Sequence, residues 1–169
     1  MADELNIKVN GRAWAVSASP DTPLLYVLSN ELRLQGPKFG CGLTQCGSCS
    51  VLVDGAEIRS CVTPVAAVAG KSVTTLEGLA AWYAQAKGLA PAPALHPLQQ
   101  AFIDEQAPHC GYCSSGMIIK ASELLTQNPR PSEAQIRQAM NGHLCRCGTY
   151  PRVMKAIQLA SRVMAGETP

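Results

Sequence analysis

The sequence contains few charged residues and no long apolar run. Charged residues make up 15% of the 169 residues, whereas about 25% is usual in a soluble domain. Two explanations of this deficit stay open: part of the surface contacts a large partner subunit, or abundant alanine dilutes the charges. No stretch approaches the roughly 18 apolar residues that a membrane span requires, so we expect no direct membrane span.

The few charges are not arranged for binding nucleic acid. The net charge is only +2, and lysine and arginine are scattered without forming a basic stripe, so we expect no nucleic-acid partner. The opening residues MADELNIKVN lack the charged and apolar regions of an export signal. We therefore expect a cytoplasmic chain, and attachment to the inner membrane through a partner subunit stays open.

The first part of the chain has the pattern of a small sheet. Alternating apolar and polar residues flank two turn pairs, Asn10-Gly11 and Asp54-Gly55, and the first pair predicts a type I′ hairpin. A helix with a leucine stripe is predicted between the hairpins, and a short strand is predicted at residues 72–76. Residues 1–78 are thus predicted to form a sheet with one helix on it.

The second part of the chain has the pattern of a helical unit. Residues 79–94 are rich in alanine, glycine and proline and are predicted to be a linker. Four short helices are predicted within residues 95–163, one of them opened by a capping box of Ser132 and Gln135. Residues 164–169 remain as a tail, and the fold class is α+β.

Eight cysteines carry the chemistry of the chain, and they fall into two sets of four. In a reducing cytosol such clusters indicate metal or redox centres rather than disulfides. The first set has the spacing C-x4-C-x2-C-x11-C, whose first three members match plant-type [2Fe-2S] ligands. A structural zinc site is the alternative. The set consists of Cys41, Cys46, Cys49 and Cys61.

Glycines surround the first set of cysteines. Gly40, Gly42 and Gly47 are predicted to take positive φ angles and to bring backbone N–H groups within reach of the cluster sulfurs. Hydrogen bonds of this kind stabilise the extra negative charge of a reduced cluster. These glycines are therefore candidate cofactor-binding residues.

The second set of cysteines combines a C-x2-C pair with a C-x-C pair, and 31 residues separate the two pairs. Both pairs precede predicted helices, so helix N-termini are expected to face the thiolates and to favour an anionic cluster. A zinc site that ties the helices together remains the alternative. The set consists of Cys110, Cys113, Cys145 and Cys147.

Five segments together resemble the small iron-sulfur subunit of the molybdenum hydroxylases, the xanthine oxidase family. Within that family, the chain is most similar to small subunits of the nicotinate dehydrogenase and isoquinoline 1-oxidoreductase type, whose enzymes hydroxylate N-heteroaromatic rings. The resemblance covers nearly the whole chain. The segments are GPKFGCGLTQCGSCSVLVDG, RSCVTPVAA, TTLEGL, HPLQQAFIDEQAPHCGYCSSGMI and HLCRCGTYPRV.

The resemblance implies a β-grasp, plant-type ferredoxin-like domain followed by a four-helix bundle, each with one [2Fe-2S] cluster. It implies an electron-transfer subunit without catalytic residues of its own. Molybdopterin would lie in a large catalytic partner subunit that acts on an N-heteroaromatic compound such as nicotinate, or on an aldehyde. Electrons would pass through the bundle's cluster and then the ferredoxin-type cluster to FAD or to the haem c of a cytochrome.

Two other functions stay open at this point. One is a free-standing two-cluster ferredoxin that shuttles electrons between enzymes. The other is an interaction module that zinc stabilises and that has no redox activity. Visible absorbance separates the zinc module from both iron-sulfur proteins.

Several residues depart from the family pattern or stand next to the proposed ligands. His109 replaces the usual glutamine before the bundle's first cysteine, and it is either an altered pterin contact or a cap on the cluster loop. His143 stands where asparagine is common, and Thr44 and Gln45 replace the common glycines ahead of the second cysteine. Gly111 is a candidate cofactor-binding residue, and Arg146 would offset cluster charge or pair with the partner subunit.

Overall fold

The computed structural model describes residues 5–167. Residues 1–4 of the predicted first domain and residues 168–169 of the predicted tail lie outside the described residues. Five strands form one mixed sheet in the order β2-β1-β5-β3-β4, in which β1 and β5 are parallel. The strands are β1 (Leu5–Val9), β2 (Arg12–Val16), β3 (Ser50–Val53), β4 (Ala56–Arg59) and β5 (Ser72–Thr74).

Two tight hairpins organise this sheet, as the sequence predicts. Asn10 and Gly11 have φ angles of 51° and 79°, and Asp54 and Gly55 have φ angles of 50° and 85°. Positive φ at both central residues is the signature of the type I′ turn, which matches the twist of the flanking strands. The predicted type I′ turn at Asn10-Gly11 is confirmed.

One short helix covers a face of the sheet. Helix α1 (Leu24–Tyr26) continues without a break into a π-helical turn, Val27–Glu31. Leu24 and Leu28 of the predicted stripe are buried against strand residues such as Val51. This packing forms the first of two apolar cores.

The helical unit carries the second core. Four helices pack around Phe102, Ile119, Ile136 and Ile157, which are all buried. The capping box of Ser132 is confirmed, because its hydroxyl accepts a hydrogen bond from the Gln135 N–H. The helices are α3 (Pro97–Asp104), α4 (Ser114–Gln127), α5 (Glu133–Ala139) and α6 (Tyr150–Met164).

The predicted linker starts with a helix that the sequence patterns do not predict. Helix α2 (Leu79–Lys87) ends at Gly88, whose φ of 64° forms a left-handed C-cap. The ring of Tyr83 packs edge-on against His96, with ring centroids 4.7 Å apart. His96 starts α3, since its Nδ1 accepts a 3.0 Å hydrogen bond from the Leu98 N–H. The segment that connects the sheet to the bundle therefore packs against the start of α3.

The predicted α+β architecture is confirmed. The sheet contributes directly to the helical core, because Leu52 of β3 belongs to the same buried cluster as the bundle residues. Within residues 5–167, no helix combines the length and the apolar character that a membrane crossing needs.

Candidate metal centres

The first set of cysteines lies at the edge of the sheet, beneath α1. Cys41 and Cys46 stand on the loop before β3 and are partly exposed, whereas Cys49 and Cys61 are buried against Leu25 of the helix. One side of the set thus faces the apolar core and the other side faces the surface.

Backbone N–H groups of the loop point at the sulfur atoms. The N–H groups of Leu43 and Gln45 donate to Cys41 Sγ over 3.3 Å, and the Cys41 N–H donates to Cys46 Sγ over 3.3 Å. Burial raises the pKa of Cys41, but the N–H groups of Leu43, Cys46 and Gln45 outweigh it and lower the pKa to about 7. The loop therefore stabilises a thiolate, which is the form that binds metal.

On the buried side of the first set, the Cys49 thiol ionises only when a positive charge lies next to it. Burial, together with the neighbouring Cys61, raises the pKa of Cys49 to about 12. A bound metal ion deprotonates such a thiol outright, because its positive charge replaces the lost hydration. The donor set therefore fits a metal centre better than a group of free thiols.

The glycines around this loop act in two different ways. Gly42 and Gly47 have φ angles of 67° and 76°, as predicted. The prediction of a positive φ at Gly40 is wrong: this glycine is needed because a Cβ there would lie 2.6 Å from Cys46 Sγ. Thr44 also has a positive φ, 62°, which is costly for a β-branched residue.

The second set of cysteines lies between the starts of two helices. Cys113 is the N-cap residue of α4, and burial raises its pKa to about 12. Cys145 lies just before α6, and its backbone N–H donates to Tyr150 Oη over 2.7 Å. Burial raises the pKa of Cys145, but the hydroxyl and N–H groups of Thr149 outweigh it and lower the pKa to about 7. Both sets thus combine a thiol whose pKa is raised by burial with one that ionises readily.

The thiols of each set lie close enough to shift one another's pKa, most directly in pairs. A diiron cluster takes four thiolates, two at each iron, so this pairing fits the [2Fe-2S] ligand set. Within residues 5–167, no group of three or more His, Cys, Asp or Glu side chains is placed to hold a single metal ion. The pairs are Cys41 with Cys46, Cys49 with Cys61, Cys110 with Cys147, and Cys113 with Cys145.

The two cysteine loops touch each other. The Leu144 N–H donates a 2.9 Å hydrogen bond to the Cys46 carbonyl, and the Tyr112 hydroxyl donates to the Phe39 carbonyl. Helix α4 packs backbone against backbone on the first loop, since a Cβ at Gly116 would lie 2.0 Å from the Gly47 oxygen. The two candidate centres are parts of one continuous structure.

Comparison with known protein families agrees with this division into two centres. Residues 7–74 match the 2Fe-2S iron-sulfur cluster binding domain, and residues 75–158 match the [2Fe-2S] binding domain. A nicotinate dehydrogenase subunit of Pseudomonas putida is 51% identical, over 95% of this chain and 96% of the relative. The chain belongs to the small iron-sulfur subunits of the molybdenum hydroxylases. The predicted family resemblance is confirmed.

Further relatives support the same family. The alpha subunit of isoquinoline 1-oxidoreductase from Brevundimonas diminuta is 49% identical, over 93% of this chain and 97% of the relative. The structure of quinoline 2-oxidoreductase from Pseudomonas putida superposes with a TM-score of 0.82 at 34% identity, over 98% of both chains. Aldehyde oxidoreductase from Desulfovibrio gigas gives a TM-score of 0.85 at 35% identity, but the match covers only 18% of that longer chain.

The remaining predicted site residues of this iron-sulfur subunit lie on its surface. His109 and Arg146 are exposed, and His109 lines a cavity together with Cys147 and Arg152. Gly111 has a φ of 81° and forms the turn between the first two bundle cysteines. These positions are compatible with contacts to a partner subunit, and their roles remain predictions.

Sequence reasoning missed a largely buried polar cluster between the two cysteine loops. It consists of Ser50, Glu57, Arg59 and His143, which contact one another through side-chain hydrogen bonds. Only His143 had a signal in the sequence, as a departure from the family's common asparagine. The others lie on strands β3 and β4, where alternation alone predicts ordinary surface positions.

Proposed function

We propose that this small subunit holds one [2Fe-2S] cluster on each of its two cysteine sets and relays electrons for a molybdenum hydroxylase. The observation that carries the proposal is the presence of two four-thiol sets, each with a thiolate-stabilising loop, in loops that contact each other. The ligands would be the eight cysteines: Cys41, Cys46, Cys49 and Cys61 in the first set, and Cys110, Cys113, Cys145 and Cys147 in the second.

The chain's own residues would bind and tune each centre. When bound, a [2Fe-2S] cluster accepts and releases one electron at a time. The thiolates supply the ligands, and the N–H groups of Leu43 and Gln45 offset negative charge at Cys41. Leu25 shields the inner side of the first set from water, which limits solvent access.

The exposure of each set suggests where electrons enter and leave. Cys110 and Cys147 are exposed, so the second set would face the molybdopterin of a large catalytic subunit. The first loop is bordered by Phe39 and Leu43, which are 49% and 66% exposed. Electrons would leave there to an FAD subunit or to the haem c of a cytochrome.

The relatives suggest the class of substrate. Nicotinate dehydrogenase and isoquinoline 1-oxidoreductase subunits are about half identical to this chain, so the complex would oxidise an N-heteroaromatic compound such as nicotinate. An aldehyde is the second candidate, because aldehyde oxidoreductase subunits are also related. We further propose a cytoplasmic location, because reduced cysteine ligands persist in a reducing compartment.

The experiment is anaerobic purification of the tagged chain from its native host, followed by molybdenum analysis and identification of the proteins that copurify. Nicotinate, isoquinoline or an aldehyde is then added, and bleaching of the visible absorbance is followed. We expect a molybdenum-bearing companion and substrate-dependent bleaching, which a Cys145→Ser variant weakens. A red-brown chain without a molybdenum-bearing companion would instead indicate a free ferredoxin.

A further inference from the structure

Arg59 joins the two cysteine loops with a single side chain. It is the last residue of β4, and its side chain is only 16% exposed. Its Nε donates to the Thr44 carbonyl over 3.3 Å, and its Nη2 donates to the Gly142 carbonyl over 3.2 Å. Thr44 lies on the first loop, between two candidate ligands, and Gly142 lies three residues before Cys145.

The neighbours of Arg59 hold its guanidinium group in one orientation. The third nitrogen, Nη1, pairs with the Glu57 carboxylate and contacts Ser50 Oγ at 2.5 Å. Strand β4 is itself fixed to the bundle, because the Glu57 N–H donates to Glu123 Oε1 over 2.8 Å. A guanidinium group is planar and rigid, so fixing one edge also fixes the direction of the others.

His143 closes the gap between Arg59 and the first loop. It is 2% exposed, and its Nε2 lies 3.0 Å from Arg59 Nη1. A Cβ at Gly47 would lie 2.3 Å from the His143 ring, so the ring occupies the space that this glycine leaves open. The space between the loops is therefore filled, and their separation depends on this contact.

We propose that Arg59 is a positioning residue that fixes the distance between the two iron-sulfur clusters. The inference rests on the proposed two-cluster relay. Electron tunnelling falls steeply with distance, so a clamp between the cluster loops controls the rate of transfer between them. If Arg59 served only to pair with Glu57, it would not need its hydrogen bonds to the Thr44 and Gly142 carbonyls. The proposal explains these two hydrogen bonds.

The test compares Arg59→Gln and Arg59→Lys with unaltered full-length chain, and uses Arg137→Gln as the control. Arg137 is exposed and pairs with Glu133 on α5, away from both loops. Lysine keeps the charge but has no fork that can hold both carbonyls. Iron and sulfide content is measured first, and the spin coupling between the dithionite-reduced clusters is then measured by low-temperature EPR.

We expect both Arg59 variants to keep full iron and sulfide content but to lose spin-coupling splitting, while the control keeps it. Transfer between clusters after pulsed reduction should also slow relative to the unaltered chain, because tunnelling falls steeply as the clusters move apart. Unchanged splitting and rate at full iron content would overturn the proposal. Loss of iron from both Arg59 variants would also overturn it, because Arg59 would then be needed for folding. Zinc in the unaltered chain would instead refute the relay itself.

Discussion

The backbone N–H of Leu144 donates a 2.9 Å hydrogen bond to the carbonyl oxygen of Cys46. The bond links the residue before one candidate ligand, Cys145, directly to a candidate ligand of the other set. The two centres are thus joined by a main-chain hydrogen bond in addition to the side chain of Arg59. Only proline lacks the backbone N–H, so only a proline substitution removes a main-chain hydrogen bond of this kind. The contribution of this hydrogen bond can therefore be measured separately from that of the side chains.

Replacing Leu144 with proline removes the N–H that makes this bond. Loss of a single backbone hydrogen bond costs about 0.5–1.5 kcal/mol, and more when the carbonyl stays buried. We expect Leu144→Pro to unfold at lower denaturant concentration, as followed by circular dichroism. Leu144→Ala keeps the N–H, and the side chain is 56% exposed, so this control should behave like the unaltered chain. Equal losses in both variants would contradict the role of the N–H.

The close approach of α4 to the first loop makes Gly116 irreplaceable. A Cβ at this position would lie 2.0 Å from the Gly47 carbonyl oxygen, so Gly116→Ala should destabilise the chain by about 1–3 kcal/mol, as overpacking does. It should also lower the iron content, because the loop must shift. The matched control is Ser115→Ala, which removes a buried hydroxyl without a hydrogen-bond partner among the described residues. A fully iron-loaded Gly116→Ala variant would count against the tight contact.

Thr44 holds a φ of 62° in the first cysteine loop. A non-glycine residue pays roughly 1–2 kcal/mol for left-handed backbone, so Thr44→Gly should raise the denaturation midpoint and slow the loss of visible absorbance. Gln45 has no positive φ, so Gln45→Gly should lower the midpoint by adding freedom to the unfolded chain. Stabilisation by both glycines, or by neither, would argue against strain at Thr44.

His96 should make stability depend on pH. Burial lowers the pKa of His96 to about 4, whereas an unfolded histidine has a pKa of about 6.5. As the pH falls below 6.5, His96 becomes protonated in the unfolded chain but stays neutral in the folded chain. The free energy of unfolding therefore decreases. Between about pH 7.5 and 5.5 the loss should be about 1 kcal/mol.

His96→Asn is the matched variant, because asparagine can accept the same N-cap hydrogen bond without titrating. Other groups titrate alike in both proteins, so the difference between their unfolding free energies isolates His96. We expect this difference to change with pH as stated. A difference that stays constant between pH 7.5 and 5.5 would show that His96 titrates normally in the folded chain.

Much of the fold followed from local signals in the sequence. Asn10-Gly11 fixes a turn whose two residues need positive φ, and Ser132 with Gln135 marks a helix start through a local hydrogen bond. Such features depend on neighbouring residues alone. The cysteine spacing belongs to the same class, because a loop that wraps a cluster requires ligands close in sequence.

The missed features depend on contacts in space that local sequence patterns do not predict. Arg59 lies 83 residues from Gly142, whose carbonyl accepts its hydrogen bond. No local sequence pattern predicts that contact. Gly40 was expected to take positive φ, but its neighbour in space, Cys46 Sγ, explains the glycine. Helix α2 was hidden by the alanine- and glycine-rich composition of its segment, and the burial of Leu79 stabilises it. Where local propensity does not determine the conformation of a segment, tertiary contacts determine it.

The most direct test of the two-cluster account is the iron and inorganic sulfide content of the anaerobically purified chain. Two [2Fe-2S] clusters require about four iron and four sulfide per chain, and Cys46→Ser or Cys113→Ser should each remove about half. A colourless chain that carries zinc and no inorganic sulfide would contradict the account.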